Sequence, residues 1–297
     1  MSESPSDEPA IATPFSTEID LFPPPLLTPS PEAYASEAWT ASPTLSETLP
    51  PSLLEFTPSS THRPTWTRTP FPTPIPPLAG IRITRPGLQS RLLSPFRVEA
   101  AAIPAPDGRL QLVLLGEDSR VLYNSSLRFA QTSNQQIFLQ EEVFFSISGA
   151  AEVARLIIYT TDRFGRIISL SSVDLILLAL GEEQITQPVS LREPLFIIRP
   201  YLNESFTNGL VSVRGLVSPV SNQPVILEII SEDNIVLFSS SLDSGPVTPE
   251  RAYVPFEISI PYTISTFTRA RLTLRQDSDN RIAGTVSLAS QTISLSP

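Results

Sequence analysis

This chain has no cysteine, no lysine, one histidine and two tryptophans. Each scarcity removes some chemistry. Without cysteine there is no thiol nucleophile, disulfide, thiolate zinc site or iron–sulfur cluster. Without lysine there is no amine nucleophile and no Schiff base, and all 20 basic residues are arginine. His62 lies in a proline-rich stretch, so the segments that follow it can build neither a Ser-His-Asp triad nor a His-based metal site. Charge is also scarce, at 17% of residues against roughly 25% in ordinary soluble domains. What charge there is leans acidic, for a net −10. Such a chain repels nucleic acid and anionic lipid, so neither is an expected partner. No apolar run reaches the roughly 18 residues of a spanning helix. The opening MSESPSDEPA lacks the basic and then apolar layout of a signal peptide. No P-loop, GxGxxG or GxSxG pattern occurs, which removes the commonest phosphate, dinucleotide and nucleophile-elbow signals.

Proline is the opposite case, with 32 residues against 11 glycines. Of these prolines, 18 fall within residues 1–79, among many Ser and Thr and ending in THRPTWTRTPFPTPIPP (Thr61 to Pro77). Each proline removes a backbone donor and biases its predecessor toward extended geometry. A segment of this kind cannot bury enough apolar surface to offset its ordering entropy. Residues 1–79 are therefore expected to be a disordered, semi-stiff stalk. Its locally apolar piece IDLFPPPLL (Ile19 to Leu27) is too short and too proline-broken for a helix.

From Gly80 onward the pattern changes to alternating apolar and polar residues, as at Val211, Val213, Gly215, Val217 and at Phe256, Ile258, Ile260. Period two with frequent turn signals predicts an all-β sandwich. Helical periodicity surfaces only briefly, at Ser148 to Ala154. An internal repeat runs through this region. TRPGL (Thr84 to Leu88) matches IRPYL (Ile198 to Leu202), and EDSRVLYNSSL (Glu117 to Leu127) matches EDNIVLFSSSL (Glu232 to Leu242). ARL at Ala154 matches ARL at Ala270, and GRI at Gly165 matches NRI at Asn280. These collinear matches keep a nearly constant offset of about 115 residues, the length of one sandwich domain. The expected organisation is a stalk at 1–79, a first domain at 80–180, a linker at 181–193 and a second domain at 194–297.

Each copy yields about seven predicted strands. In the first they fall near 80–84, 96–102, 110–115, 121–127, 142–148, 155–160 and 166–178. In the second they fall near 195–198, 210–217, 225–231, 235–240, 254–260, 270–275 and 281–295, the last long enough to bend or bulge.

The opening IIRPYLNESFTNGLVSVRGLVSP, the hairpin EDNIVLFSSSL and the strand VPFEISIPY of the second copy resemble the immunoglobulin-like domain of bacterial spore-germination proteins, the type associated with GerM domains. The first copy departs at the last of these, reading EEVFFSISGAA without the Pro-Phe pair. The resemblance covers residues 80–297. It implies two tandem immunoglobulin-like β-sandwich domains of an exported or envelope-attached bacterial protein. It associates no catalytic residues with them.

Candidate chemistry is sparse. Carboxylates gather at turns: Glu117 with Asp118, Glu232 with Asp233, and Asp277 with Asp279 beside Asn280. Hard oxygen ligands at Asp-x-Asp spacing could hold calcium, but Asp and Asn also favour turns because they hydrogen-bond their own backbone. Asp277, Asp279 and Asn280 are the weak calcium candidate, and no other metal or cofactor is expected. Both tryptophans, Trp39 and Trp66, lie in the stalk. Neither domain thus offers one as a sugar platform, and the five tyrosines from Tyr123 to Tyr262 are expected at strand edges with solvated hydroxyls. The sequons at Asn124 and Asn203 read as chance.

The expected function is a non-enzymatic structural or protein-interaction module of a bacterial cell envelope. The alternative is a carbohydrate- or cell-wall-binding module. The expected partner is another envelope protein or a cell-wall polymer. The expected location is extracytoplasmic, with an anchor upstream of this sequence.

Overall fold

The computed structural model describes residues 75–130, 135–248, 250 and 252–297. The expected stalk up to residue 74, with His62, Trp39 and Trp66, lies outside the described residues. All regular elements among the described residues are β-strands. The brief helical signal at Ser148 to Ala154 is overruled. Ala151 already opens a long strand, whose inward Ala154, Leu156 and Ile158 follow period two.

The first repeat contributes β1 (Ile81–Arg85), β2 (Arg91–Leu92), β3 (Phe96–Ala102), β4 (Arg109–Leu115), β5 (Val121–Arg128), β6 (Ile137–Val143), β7 (Ala151–Thr161) and β8 (Ile167–Leu178). The second contributes β9 (Leu195–Arg199), β10 (Glu204–Phe206), β11 (Leu210–Val217), β12 (Val225–Ser231), β13 (Val236–Leu242), β14 (Val254–Pro261), β15 (Thr268–Asp277) and β16 (Thr285–Leu295). Two short strands, β2 and β10, were not expected. With two or three residues each they carry no alternation to read. Each pairs in parallel with the last strand of its own repeat. The sixth strand of the first repeat is also displaced. It runs through IFLQEEV and ends at Val143, not through the apolar run after Glu142. Leu139 and Val143 face the core, while Phe144 is exposed. The apolar run misled because this strand is a sheet edge, where its outer residues can be Gln140 and Glu142.

In each repeat a three-stranded sheet, β1-β3-β6 or β9-β11-β14, packs on part of one larger sheet. Alternation builds the packing. Leu110, Leu112 and Leu114 of β4 are fully buried, as are Val225, Leu227 and Ile229 of β12. Each such side chain contributes roughly 1.5–3 kcal/mol when removed from water. Two separate cores result. One gathers around Val98, Leu112, Leu156 and Leu177, the other around Val213, Leu227, Leu272 and Ile293.

The large sheet is shared by both repeats. Its strand order is β13-β12-β15-β16-β8-β7-β4-β5, which reads the same from either end once equivalent strands are matched. β8 and β16 are equivalent, and they pair antiparallel through Ser171 with Ser287, Leu170 with Leu288 and Ser169 with Ala289. The repeats are thus related by a local two-fold axis through this short ladder.

Residues 181–193 are bound along the first repeat. Gln184 bridges Arg91, and Thr186 accepts the Gly87 N–H and donates its hydroxyl to Leu88 O. Leu78 bridges Arg192, and Glu193 N–H donates to Pro77 O. Residues 77–79, assigned to the stalk by composition, are therefore paired with the connector.

Candidate functional site

The junction between the repeats holds the densest polar chemistry of the described residues. Two hairpin tips build it. The β7–β8 tip reaches the second repeat, and the β15–β16 tip reaches the first. Arg155, on β7, is 1% exposed. Its Nε and Nη2 grip both oxygens of Asp174 at 2.6 and 3.2 Å. Its Nη1 donates to Ile282 O at 2.8 Å, and Nη2 also donates to Ser278 Oγ at 2.7 Å, both on the opposite tip. Arg271 is the equivalent residue on β15. It meets Asp162 of the β7–β8 tip at 3.2 Å, and its Nη1 is buried without a hydrogen-bond partner among the described residues.

The reciprocity extends outward. Glu117 pairs with Arg281 and Glu232 with Arg163, each at 3.5 Å. Ser172 Oγ donates to Val286 O at 2.8 Å, and Ser290 Oγ donates to Ile168 O at 2.7 Å, placed symmetrically about the ladder centre. Burial pushes the Asp162 carboxyl up. Hydrogen bonds from the Arg166 side chain and from the Arg166 and Phe164 amides, with the charge of Arg271, outweigh that and hold it below its ordinary value. Arg166 Nη1 donates onward to Ser231 O at 2.7 Å, which ties the tip to the second repeat.

The calcium candidates lie in the β15–β16 tip and its flanks, and their polar atoms face protein partners. Asp277 takes Arg275 Nη1 on one oxygen and Thr285 Oγ1 on the other, at 2.5 and 2.9 Å. Asp279 accepts the Asn222 amide N–H at 3.0 Å and its side-chain N–H at 2.6 Å. The Asn222 backbone N–H is the main cause of an Asp279 carboxyl below its ordinary value. Asn280 turns its amide to Asp174 Oδ2 at 2.7 Å. The three side chains thus share no partner. No group of three or more His, Cys, Asp or Glu side chains is placed to hold a metal among the described residues.

A crevice of about 170 Å³ opens beside this junction, lined by residues of both repeats and of the connector, among them Ile83, Asp174, Val189, Tyr253 and Asn280. Its one junction carboxylate pair, Asp174 and Asp279, is already bonded to Arg155, Asn280 and Asn222. Close by, Glu193 ends the connector. Burial lifts its carboxyl to about 7, against the pull of the Gly80 and Leu195 amides. Three tyrosines depart from the expected solvated hydroxyl. Tyr123 donates to Glu141, Tyr253 to Glu193 O and Tyr262 to Ser296 O. Tyr201 is 57% exposed, and its ring is covered by Arg199 at 3.9 Å.

Arg155 and Arg271 are the residues that sequence reasoning missed. The signal was present in the ARL match itself, where an arginine sits between inward-facing Ala and Leu on a central strand in both repeats.

No protein family matches the chain, and no curated protein does. Among solved structures it is similar to a red sea bream transglutaminase at 10% identity and a TM-score of 0.28, over 76% of this chain and 32% of that one. The chain therefore spans about a third of the transglutaminase's length. It is also similar to CBD12 from CALX1.2, at 7% identity and a TM-score of 0.20, over 73% of this chain and 100% of that one. An exo-chitosanase of Amycolatopsis orientalis, CsxA, is similar at 8% identity and a TM-score of 0.20, over 66% of this chain and 25% of that one. Scores this low support no argument about activity.

Proposed function

We propose that the chain is a non-enzymatic structural or protein-interaction module of a bacterial cell envelope, built from two tandem immunoglobulin-like sandwiches. One observation carries this reading: polar groups that could do chemistry are consumed in locking the repeats together. Arg155, Asp174, Asp162 and Arg271 bond to each other or to backbone across the junction. A carboxylate whose oxygens are already engaged in this way offers no free acid–base partner. Strand order supports the sandwich assignment. Three strands face four in each repeat, and the first edge strand is followed by a short parallel strand on the opposite sheet. The resemblance to spore-germination immunoglobulin-like domains supports the same assignment and the envelope location. The module acts as a stiff spacer, presenting loops and strand edges to another envelope protein.

Intact cells of the source bacterium, treated with a non-penetrating protease, test the location. The protein is expected to be cleaved while a cytoplasmic control survives. Protection of the protein in intact cells contradicts the reading. A peptidoglycan pull-down and a glycan array test the alternative. Saturable binding there would replace a protein partner with a cell-wall polymer.

A further inference from the structure

Among the described residues six strands end the main strand orders of the three sheets, and four of them are blunted in ways that prevent edge-to-edge pairing. β1 carries Arg82 and Arg85, and β6 carries Glu141 and Glu142. β9 ends at Arg199 before a proline, and β14 contains Pro255, Glu257 and Pro261. Charge and proline are the usual devices against strand addition. The two ends of the large sheet carry fewer of them. β5 has a single charge, Arg128 at its last position, β13 has none, and neither strand contains a proline.

The register shows which backbone groups these edges offer. Phe129 N–H donates to Gly108 O. By alternation along the β4–β5 ladder, Tyr123, Ser125 and Leu127 turn their amides toward β4, and Asn124 and Ser126 turn theirs outward. Glu232 N–H donates to Arg269 O, so the same alternation leaves Ser239 and Ser241 open on β13.

We infer that β5 and β13 are docking edges for a second copy of this chain, joined head to tail with β5 of one copy antiparallel to β13 of the next. Two features select this partner and this pairing. The first is continuity. The chain already extends its large sheet by antiparallel pairing of equivalent strands at β8 and β16, and among the described residues both ends of that sheet are unpaired. The second is charge. Arg120 and Arg128 bracket β5, whereas Asp233 and Asp243 bracket β13. Antiparallel β5–β13 pairing sets Arg120 near Asp243 and Arg128 toward Asp233. Pairing β5 with β5 would oppose arginines, and pairing β13 with β13 would oppose aspartates. Arg120 is shared with Asp118 and Glu152, so the exposed Arg128 supplies most of the attraction. A head-to-tail contact of this kind closes into a ring or runs on as an open row, according to the rotation it imposes. Either product shares one continuous sheet.

Two variants of the full chain test this. Asn124→Pro removes an outward amide of β5, and Ser239→Pro removes one of β13. Neither touches a ladder hydrogen bond, and proline is tolerated at such edge positions. Light scattering during gel filtration, across a wide range of concentration, reads the mass. The unmodified chain is expected to grow with concentration to roughly twofold the monomer mass or more. Each variant alone is expected to stay monomeric. An equal mixture is expected to stop at a dimer, because one variant keeps a working β13 and the other a working β5. The mixture also shows that both variants fold. If either loses its β-sheet circular dichroism, Asn124→Lys and Ser239→Lys replace the prolines. A monomeric unmodified chain at all concentrations overturns the proposal, as does assembly of either variant alone.

Discussion

Glu193→Gln isolates one half-buried group at the root of the connector. Glu193 Oε2 accepts the Gly80 N–H at 3.3 Å, its own N–H donates to Pro77 O, and its carbonyl accepts the Tyr253 hydroxyl. Burial raises its carboxyl from 4.5 to about 7. The folded chain therefore keeps a proton that the unfolded chain releases over that window. Stability is highest below the unfolded value, and it falls as pH rises through the folded one. At about 1.4 kcal/mol per unit, the loss between acid and pH 8 is at most about 3.5 kcal/mol. Glutamine is close in shape, keeps an oxygen for the Gly80 amide and cannot ionise. Urea unfolding from pH 5 to pH 8 reads the difference. The unmodified chain is expected to weaken steadily, whereas Glu193→Gln stays flatter and is the more stable at pH 8. Asp162 and Asp279 sit below the ordinary carboxylate value and titrate beneath this window. Equal slopes for the two proteins would refute the reasoning.

Other perturbations follow from the junction and the cores. Arg155→Ala strands Asp174 and is expected to cost about 3–5 kcal/mol in unfolding free energy. Arg163→Ala breaks an ion pair whose arginine is 70% exposed and should cost no more than about 1 kcal/mol in the same assay. Gly215→Ala would press a methyl onto Phe196 O and the Phe256 ring, so thermal melts should show a loss of about 1–3 kcal/mol. Calcium added at millimolar level is expected to leave the melting temperature unchanged, because Asp277 and Asp279 already accept from Arg275, Thr285 and Asn222. A rise in melting temperature would return the calcium reading to that loop.

Much of the fold was legible because period two is local. Strands such as β3, β11 and β12 run as expected, since β12 alternates throughout and β3 and β11 alternate until their last, wholly buried residues. The repeat was legible for the same reason: EDSR and EDNI mark equivalent tight turns, with Ser119 and Asn234 both at positive φ. β6 was misplaced because an edge strand can carry polar residues on its outer face, while the loop after it carries Phe144. The junction was not legible. Antiparallel pairing of β8 with β16 joins residues far apart in sequence through three serines, an alanine and one leucine pair, and no local pattern marks such a contact. Period two alone sets Arg155 on the face opposite Ala154 and Leu156. Only the opposite hairpin supplies the carbonyl and hydroxyl that make its burial tolerable.

The account stands on the two repeats being locked into one body. Because the chain lacks cysteine, Arg97→Cys and Arg214→Cys place spin labels on exposed strand positions of the two small sheets without background labelling. Double electron–electron resonance, on labelled chain diluted in unlabelled chain, then reads the separation of the repeats. The account predicts a single narrow distance distribution. A broad or multi-peaked distribution would mean that the sandwiches move independently and that the β8–β16 ladder does not hold them.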